Sequence, residues 1–93
     1  MLVNGIAEAA PRFFNLQPNP NNGVFELLFD VDAQDDYVLS IFSADGKRVY
    51  EEQLGAFSGR YRNVIDLTTT GSGTYMIRLT GKQTQTMRQV VVF

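Results

Sequence analysis

The chain contains no cysteine and no histidine. Without cysteine there is no disulfide, no thiolate nucleophile and no sulfur ligand for zinc. Without histidine the commonest general base and the commonest metal ligand are both missing. Any catalytic reading would have to rest on Asp, Glu, Lys or Tyr, which places an enzyme last among the possible functions. Charge is sparse as well. Charged residues make up 19% of the chain and the formal net charge is −2. The basic clusters, Lys47-Arg48 and the pair Arg60 and Arg62, are too short to recommend nucleic acid as a partner. No apolar run approaches the roughly 20 residues that a membrane-crossing helix needs. Residues 1–11 lack a basic leading segment, and Asn4-Gly5 and Glu8 interrupt their apolar character, so they do not form a signal peptide. They read instead as part of a linker or cloning remnant covering residues 1–12. Helical periodicity is missing too: no apolar stripe at i, i+3, i+4, i+7 persists for ten residues. There is no internal repeat and no low-complexity tract.

What remains is a chain of 93 residues, 44% of them hydrophobic. That is one domain with one modest core, burying roughly 60–65% of its unfolded surface. Short strands alternate with turns along it. Phe13-Phe14-Asn15-Leu16 is an apolar edge strand. Gln17-Pro18-Asn19-Pro20-Asn21-Asn22-Gly23 is a stiff loop, since each proline fixes its own φ and biases its predecessor toward extended backbone. Asn21-Asn22-Gly23 supplies positions tolerant of positive φ. Val24 to Asp32 alternates Phe25, Leu27, Phe29 and Val31 with Glu26, Asp30 and Asp32, the period of a strand with one buried face, although Leu28 spoils the polar face. Ala33-Gln34-Asp35 is expected to turn the chain. Tyr37 to Ser43 is a central strand, and Asp45-Gly46 predicts a hairpin with a type I′ turn. Arg48 to Leu54 is an edge strand blunted by its charges, Gly55 to Gly59 a loop, and Tyr61 to Leu67 a further strand. After the loop Thr68 to Gly73, Tyr75, Ile77 and Leu79 open a final hairpin whose second arm ends in Val90-Val-Val-Phe93. About seven antiparallel strands with turns every 8–12 residues predict an all-β, immunoglobulin-like sandwich.

Three constellations are candidates for chemistry. Asp30, Asp32, Asp35 and Asp36 could converge oxygen ligands on a calcium ion, or simply be acids at strand ends and turns facing water. They lack the glycine and the distant Glu of an EF-hand loop. Glu51 and Glu52 form a carboxylate pair, but adjacent strand residues point to opposite faces. Tyr37, Tyr50, Tyr61 and Tyr75 could build a sugar-binding platform, although Tyr75 belongs by its spacing with Ile77 and Leu79 in the core.

Three segments in order carry a more specific signal. They are Leu16-Gln-Pro-Asn-Pro-Asn-Asn-Gly23, then Leu39-Ser-Ile-Phe-Ser-Ala-Asp-Gly-Lys-Arg-Val-Tyr50, then Ile65-Asp-Leu67 with Gly73-Thr-Tyr-Met-Ile-Arg-Leu79 and the closing hairpin into Val90-Val-Val92. Together they resemble the C-terminal sorting domain of the type IX (Por) secretion system of Bacteroidetes, over residues 13–93. Thr70 stands where that family usually has an apolar residue, and Arg88 is the one basic residue just before the terminal valines. The resemblance implies an immunoglobulin-like sandwich that addresses a fused N-terminal cargo protein to the outer-membrane translocon. The cargo would cross the periplasm and outer membrane of a Gram-negative bacterium to become secreted or surface-held. A surface sortase would remove the domain, with Ala9–Arg12 as the expected cleavage region. No cofactor is implied. Recognition would rest on Pro18, Asn19, Pro20 and Gly23, on Gly46, Lys47 and Val49, on Gly73 and Tyr75, and on Arg88, Val90, Val91 and Val92. The terminal strand could be read by strand addition, could serve only the fold, or could exchange between copies in a homodimer. The alternative reading is a fibronectin-like accessory or adhesion module that binds carbohydrate or a neighbouring domain and shows an exposed aromatic patch.

Overall fold

Alternating apolar side chains set the strands, and the strands are longer than the turn signals suggest. A computed structural model describes Pro11 and residues 13–93. Its elements are β1 (Phe13–Gln17), β2 (Val24–Ser43), β3 (Arg48–Asp66), β4 (Gly73–Thr80) and β5 (Gln85–Val92). All strand pairings are antiparallel. β2 is the hub. It pairs with β3 along one edge, and along the other with β1 near its start and with β4 near its end. β4 then pairs with β5.

The described chain therefore has five strands rather than about seven. The turn expected at Ala33-Gln34-Asp35 is a bulge inside β2. Val31 lies opposite Gly59 and Asp35 opposite Phe57, so residues 32–34 face Ser58 alone. Extra residues on one side of a ladder bend the strand without reversing it. The loop expected at Gly55 to Gly59 is likewise strand. Gly55 and Gly59 take φ of 66° and 99°, which side-chain-bearing residues adopt poorly, and so let β3 follow the bend. At Asp45-Gly46 the hairpin forms, but its turn is not type I′, because only Gly46 has positive φ. The Gly46 amide donates to Ser43 and the Ser43 amide to Lys47, at 2.9 and 2.8 Å. That is a type I turn closed by a left-handed glycine.

One core collects side chains from both halves of β2. Phe25, Leu27, Phe29 and Val31 come from the first half, and Tyr37, Leu39 and Ile41 from the second. Ile65 and Leu67, Tyr75, Ile77 and Leu79, and Val90 and Val92 complete it. Phe29 is its aromatic centre, stacked on Phe14 at 5.5 Å and on Tyr61 at 4.7 Å, with Phe57 edge-on at 6.3 Å. Such pairs contribute about 0.5–1.5 kcal/mol beyond their buried area. Removing a side chain such as Ile77 to Ala would cost about 2–5 kcal/mol.

Candidate functional site

The residues singled out in the sequence gather at one end of the molecule. The register explains why. Tyr75 lies opposite both Ser43 and Val90, and Gly73 lies opposite Val92. Val92 in turn forms an isolated parallel bridge with Asn21. The Pro18–Gly23 loop, the 43–47 hairpin, the loop before β4 and the end of β5 are thereby neighbours.

On one flank of β5 the proline loop acts as a substitute strand. The Asn21 amide donates to Val91 and the Phe93 amide to the Asn21 carbonyl, both at 2.9 Å. The Asn19 side chain repeats the pattern one step earlier. Its Nδ2 donates to the Gln89 carbonyl at 3.0 Å, and its Oδ1 accepts from the Val91 amide at 3.0 Å. The β5 edge from Gln89 to Phe93 is thus already bonded, and strand addition there would first displace the loop. The loop itself is pinned from within. Asn21 is buried, donates from Nδ2 to the Pro18 carbonyl at 2.9 Å and accepts the Gly23 amide on Oδ1 at 2.8 Å. Gly23 has φ of 115°, and its carbonyl accepts the Leu67 amide at 2.6 Å. A Cβ there would stand 2.9 Å from the Thr68 methyl, so the position requires glycine.

Val90 and Val92 face the core, whereas Val91 and Met87 are exposed on the opposite face. Arg88 is exposed, with its guanidinium 5.5 Å above the Phe14 ring and a 2.9 Å bond to the Met87 carbonyl. It covers the rim of the core as a cation on an aromatic face.

On the other flank, Lys47, Val49, Gly73 and Tyr75 line one open groove of about 560 Å³, together with the hydroxyl residues Ser43, Thr70 and Thr74. Tyr75 contributes mostly to the core. Its hydroxyl donates to the Gly71 carbonyl at 2.6 Å and meets the Thr70 hydroxyl at 2.9 Å. Thr70 also bonds the Leu67 carbonyl, which gives this polar residue a structural task. Asp45 accepts from the Ser43 hydroxyl and the Lys47 amide, and these bonds hold its carboxyl below the usual carboxylate range. Asp66 is lowered in the same way by the hydroxyl and amide of Thr68, at 2.6 and 2.9 Å. Gly46 sits at the exposed hairpin tip.

The other candidates lie elsewhere. Among the described residues, no three acidic side chains come together in a group able to hold a metal ion. Asp30 lies opposite Phe13 and Arg60 on its two neighbouring strands, while Asp32, Asp35 and Asp36 belong to the bend of β2. Asp35 accepts the amides of Asp36 and Gln83 at 2.7 and 3.2 Å, tying the bend to the β4–β5 turn. Partial desolvation raises its carboxyl, but those amides, that of Lys82 and the Lys82 charge outweigh it and leave the group lowered. Glu51 and Glu52 diverge as expected. Glu51 pairs with Arg48 at 2.6 Å, while Glu52 accepts from the hydroxyls of Tyr50 and Tyr61 at 2.9 and 2.6 Å. Burial, and then the bond to Glu52, raise both tyrosines above their ordinary range. Tyr37, Tyr61 and Tyr75 are buried, so the tyrosines form no exposed platform. The expected cleavage region, Ala9–Arg12, falls outside the described residues apart from Pro11.

Sequence reasoning missed Asn21. It treated the Asn-Asn-Gly run as a source of positive φ, yet only Gly23 has it. The available signal was an Asn two residues before a Gly, the spacing of an Asx turn.

A family model described as "Secretion system C-terminal sorting domain" matches residues 15–93. No curated protein matches the chain. Among solved structures, the chain is similar to the Ig1 domain of mouse SynCAM 2, at 16% identity over 87% of this chain and 93% of that one, with a TM-score of 0.49.

Proposed function

The chain belongs to the secretion-system C-terminal sorting domains, the address signals of type IX secretion, and from that premise we propose that the machinery reads it as a folded body. Cargo fused to such a domain is bound for the surface or the exterior of a Bacteroidetes cell. The family is one of signals and not of catalysts, and this reading gives the domain no chemistry of its own. Residues 13–93 act as the address, with residues 1–12 as the linker to cargo and the segment around Ala9–Arg12 as the cut for a surface sortase. The route runs through the periplasm and the outer-membrane translocon.

The observation that carries this reading is the bonding of the Pro18–Gly23 loop to the end of β5. It makes the first and last motifs parts of one surface, so a receptor could test both at once. In this reading Pro18, Asn19, Pro20 and Gly23 act by shaping that surface, Gly46, Lys47, Val49 and Gly73 by the groove beside it, Tyr75 and Val90 through the core, and Arg88, Val91 and Val92 at the terminal strand. The body is read as an immunoglobulin-like sandwich. Support comes from the single core shared by both halves of β2, and from Tyr37 and Tyr75, whose hydroxyls each bond a carbonyl four residues upstream. Exchange of the terminal strand between copies would first have to break the loop contacts.

The test is to fuse residues 12–93 behind a periplasm-targeted reporter in a cell with a type IX system. Export of the reporter is expected, and a reporter trapped in the periplasm refutes the reading. Removing Val90–Phe93 from the same fusion separates the roles of the terminal strand. Loss of export with the fold intact assigns direct recognition, loss of both assigns a folding role, and retained export removes the strand from the signal.

A further inference from the structure

Among the described residues five large hydrophobic side chains are exposed, and three of them, Met87, Val91 and Phe93, lie on or just after β5. Met87 and Val91 point away from the core, on the face of the sheet opposite Val90 and Val92. The strand register extends that face inward. Met87 stands beside Arg78, which stands beside Ser40. One row along, Met76 stands beside Phe42. The outer face of β2, β4 and β5 therefore sets Phe42, Met76, Met87 and Val91 around a single cation, with Ser40, Thr74 and Gln89 among them.

That cation is incompletely satisfied. The Arg78 guanidinium lies over the Phe42 ring at 4.7 Å. Its Nε is shielded from solvent and bonds to nothing. Among the described residues no carboxylate pairs with it. The acid in the same cross-strand row, Glu51, is held by Arg48 instead. A shielded N–H without an acceptor is unfavourable, and a half-buried guanidinium fixed on an aromatic ring is already oriented for a carboxylate. Apolar exposure next to a preset cation is a surface arranged for a partner with the opposite charge and matching apolar side chains.

We propose that this outer face, centred on Arg78 and flanked by Phe42, Met76, Met87 and Val91, docks a segment that carries a carboxylate between apolar side chains, on an outer-membrane protein of the export machinery. The inference rests on the sorting function above and names the surface that function uses. A second copy of this chain would bring cation to cation, an uncharged lipid core would leave the guanidinium without a counter-charge, and a bare anionic headgroup would leave the flanking apolar side chains uncovered. The chemistry thus selects an acidic protein segment.

The experiment uses the full chain fused to a periplasm-targeted reporter in a cell with a type IX system. Arg78→Glu should lower exported reporter at least tenfold, Arg78→Lys, which keeps the charge but not the stacked fork, should lower it less than Arg78→Glu does, and the purified Arg78→Glu chain should keep its cooperative unfolding. Met87→Glu changes an already exposed side chain, so it cannot act through the core. It should lower export similarly, and it decides the matter if Arg78→Glu fails to fold. A photo-crosslinking residue at position 87 should capture an outer-membrane protein, and one at Val64, exposed elsewhere, should not. Wild-type export by both Glu variants overturns the proposal. So does equal capture from positions 87 and 64, or capture of lipid or a second copy of the chain. If the unaltered fusion itself stays in the periplasm, the sorting function fails, whereas an exported fusion with indifferent variants removes only this surface.

Discussion

The two ends of the molecule are held together by different means. At the bend end, β2 and β3 run continuously through the bulge at residues 32–34 and the glycines 55 and 59. There the long-range tie from a side chain is the Asp35 carboxylate on the Gln83 amide. At the motif end four separate segments meet, and the backbone bonds of Asn21 and Gly23 to β5 and Leu67 are supplemented by side chains standing in for backbone. Asn19 imitates a strand, Asn21 braces a loop, Thr70 and Tyr75 close a turn, and Asp66 caps the start of the next loop. A continuous ladder tolerates many sequences because its bonds belong to the backbone. A junction built from side-chain amides and hydroxyls tolerates few, which is why recognisable motifs cluster at one end and not at the other.

Substitutions can break that contrast. Asn21→Ala should have the largest effect, about 1–3 kcal/mol, because it leaves the Pro18 carbonyl and the buried Gly23 amide without partners. Denaturant unfolding measures it, and a loss no greater than that of Asp35→Ala at the bend end would erase the contrast. Tyr75→Phe and Tyr37→Phe form a matched pair, since each removes one hydroxyl bonded to a carbonyl four residues upstream. Each should cost about 1 kcal/mol. Tyr75→Phe should cost slightly more, because it also removes the contact with the Thr70 hydroxyl, which keeps its bond to Leu67. Lys47→Ala should change stability by less than about 0.5 kcal/mol, as expected for an exposed side chain outside any such junction. If it nevertheless reduces export, the groove is read as a surface.

Acid should affect both ends. Asp35, Asp45 and Asp66 all have carboxyls lowered by bonds made only in the folded chain. A folded value below the unfolded one adds stability that is fully present above the unfolded value, at about pH 4, and fades as pH falls through the folded value. The melting temperature should therefore hold from neutral pH down to roughly pH 5 and decline below it. Asp66→Asn should flatten part of that decline, because its amide has no proton to gain in this range.

Much of the architecture was legible. The alternation of Phe25, Leu27, Phe29 and Val31, the Asp45-Gly46 hairpin and the opposed faces of Val90 and Val91 follow from period-2 patterning and turn chemistry. The errors at Ala33-Gln34-Asp35 and at Gly55 to Gly59 share one cause. Polar residues and glycines report that backbone geometry departs from a flat strand, but not whether the chain reverses or merely bends. That depends on the partner strand, and here both departures lie opposite each other and cancel into a bend. Pro18–Gly23 and Arg88–Val92 each stand out in the sequence, but nothing in it shows that they touch. Contacts between residues about 70 apart leave no local trace, and Asn19 reaches Gln89 across that separation. Arg78 was legible as an outward residue of its strand. Its unanswered Nε was not, because burial of a single side-chain atom depends on neighbouring strands that the local pattern does not specify.

The clasp between the proline loop and β5 joins positions 19 and 91, which are 72 residues apart. Closing so long a loop is entropically late in folding, after the local hairpins have formed. A ribosome delivers position 19 well before position 91. The motif end of this domain therefore cannot close until β5 has been made. A receptor that reads the closed junction would in effect accept only a domain in which both motifs are present and joined, so the address doubles as a certificate of its own integrity.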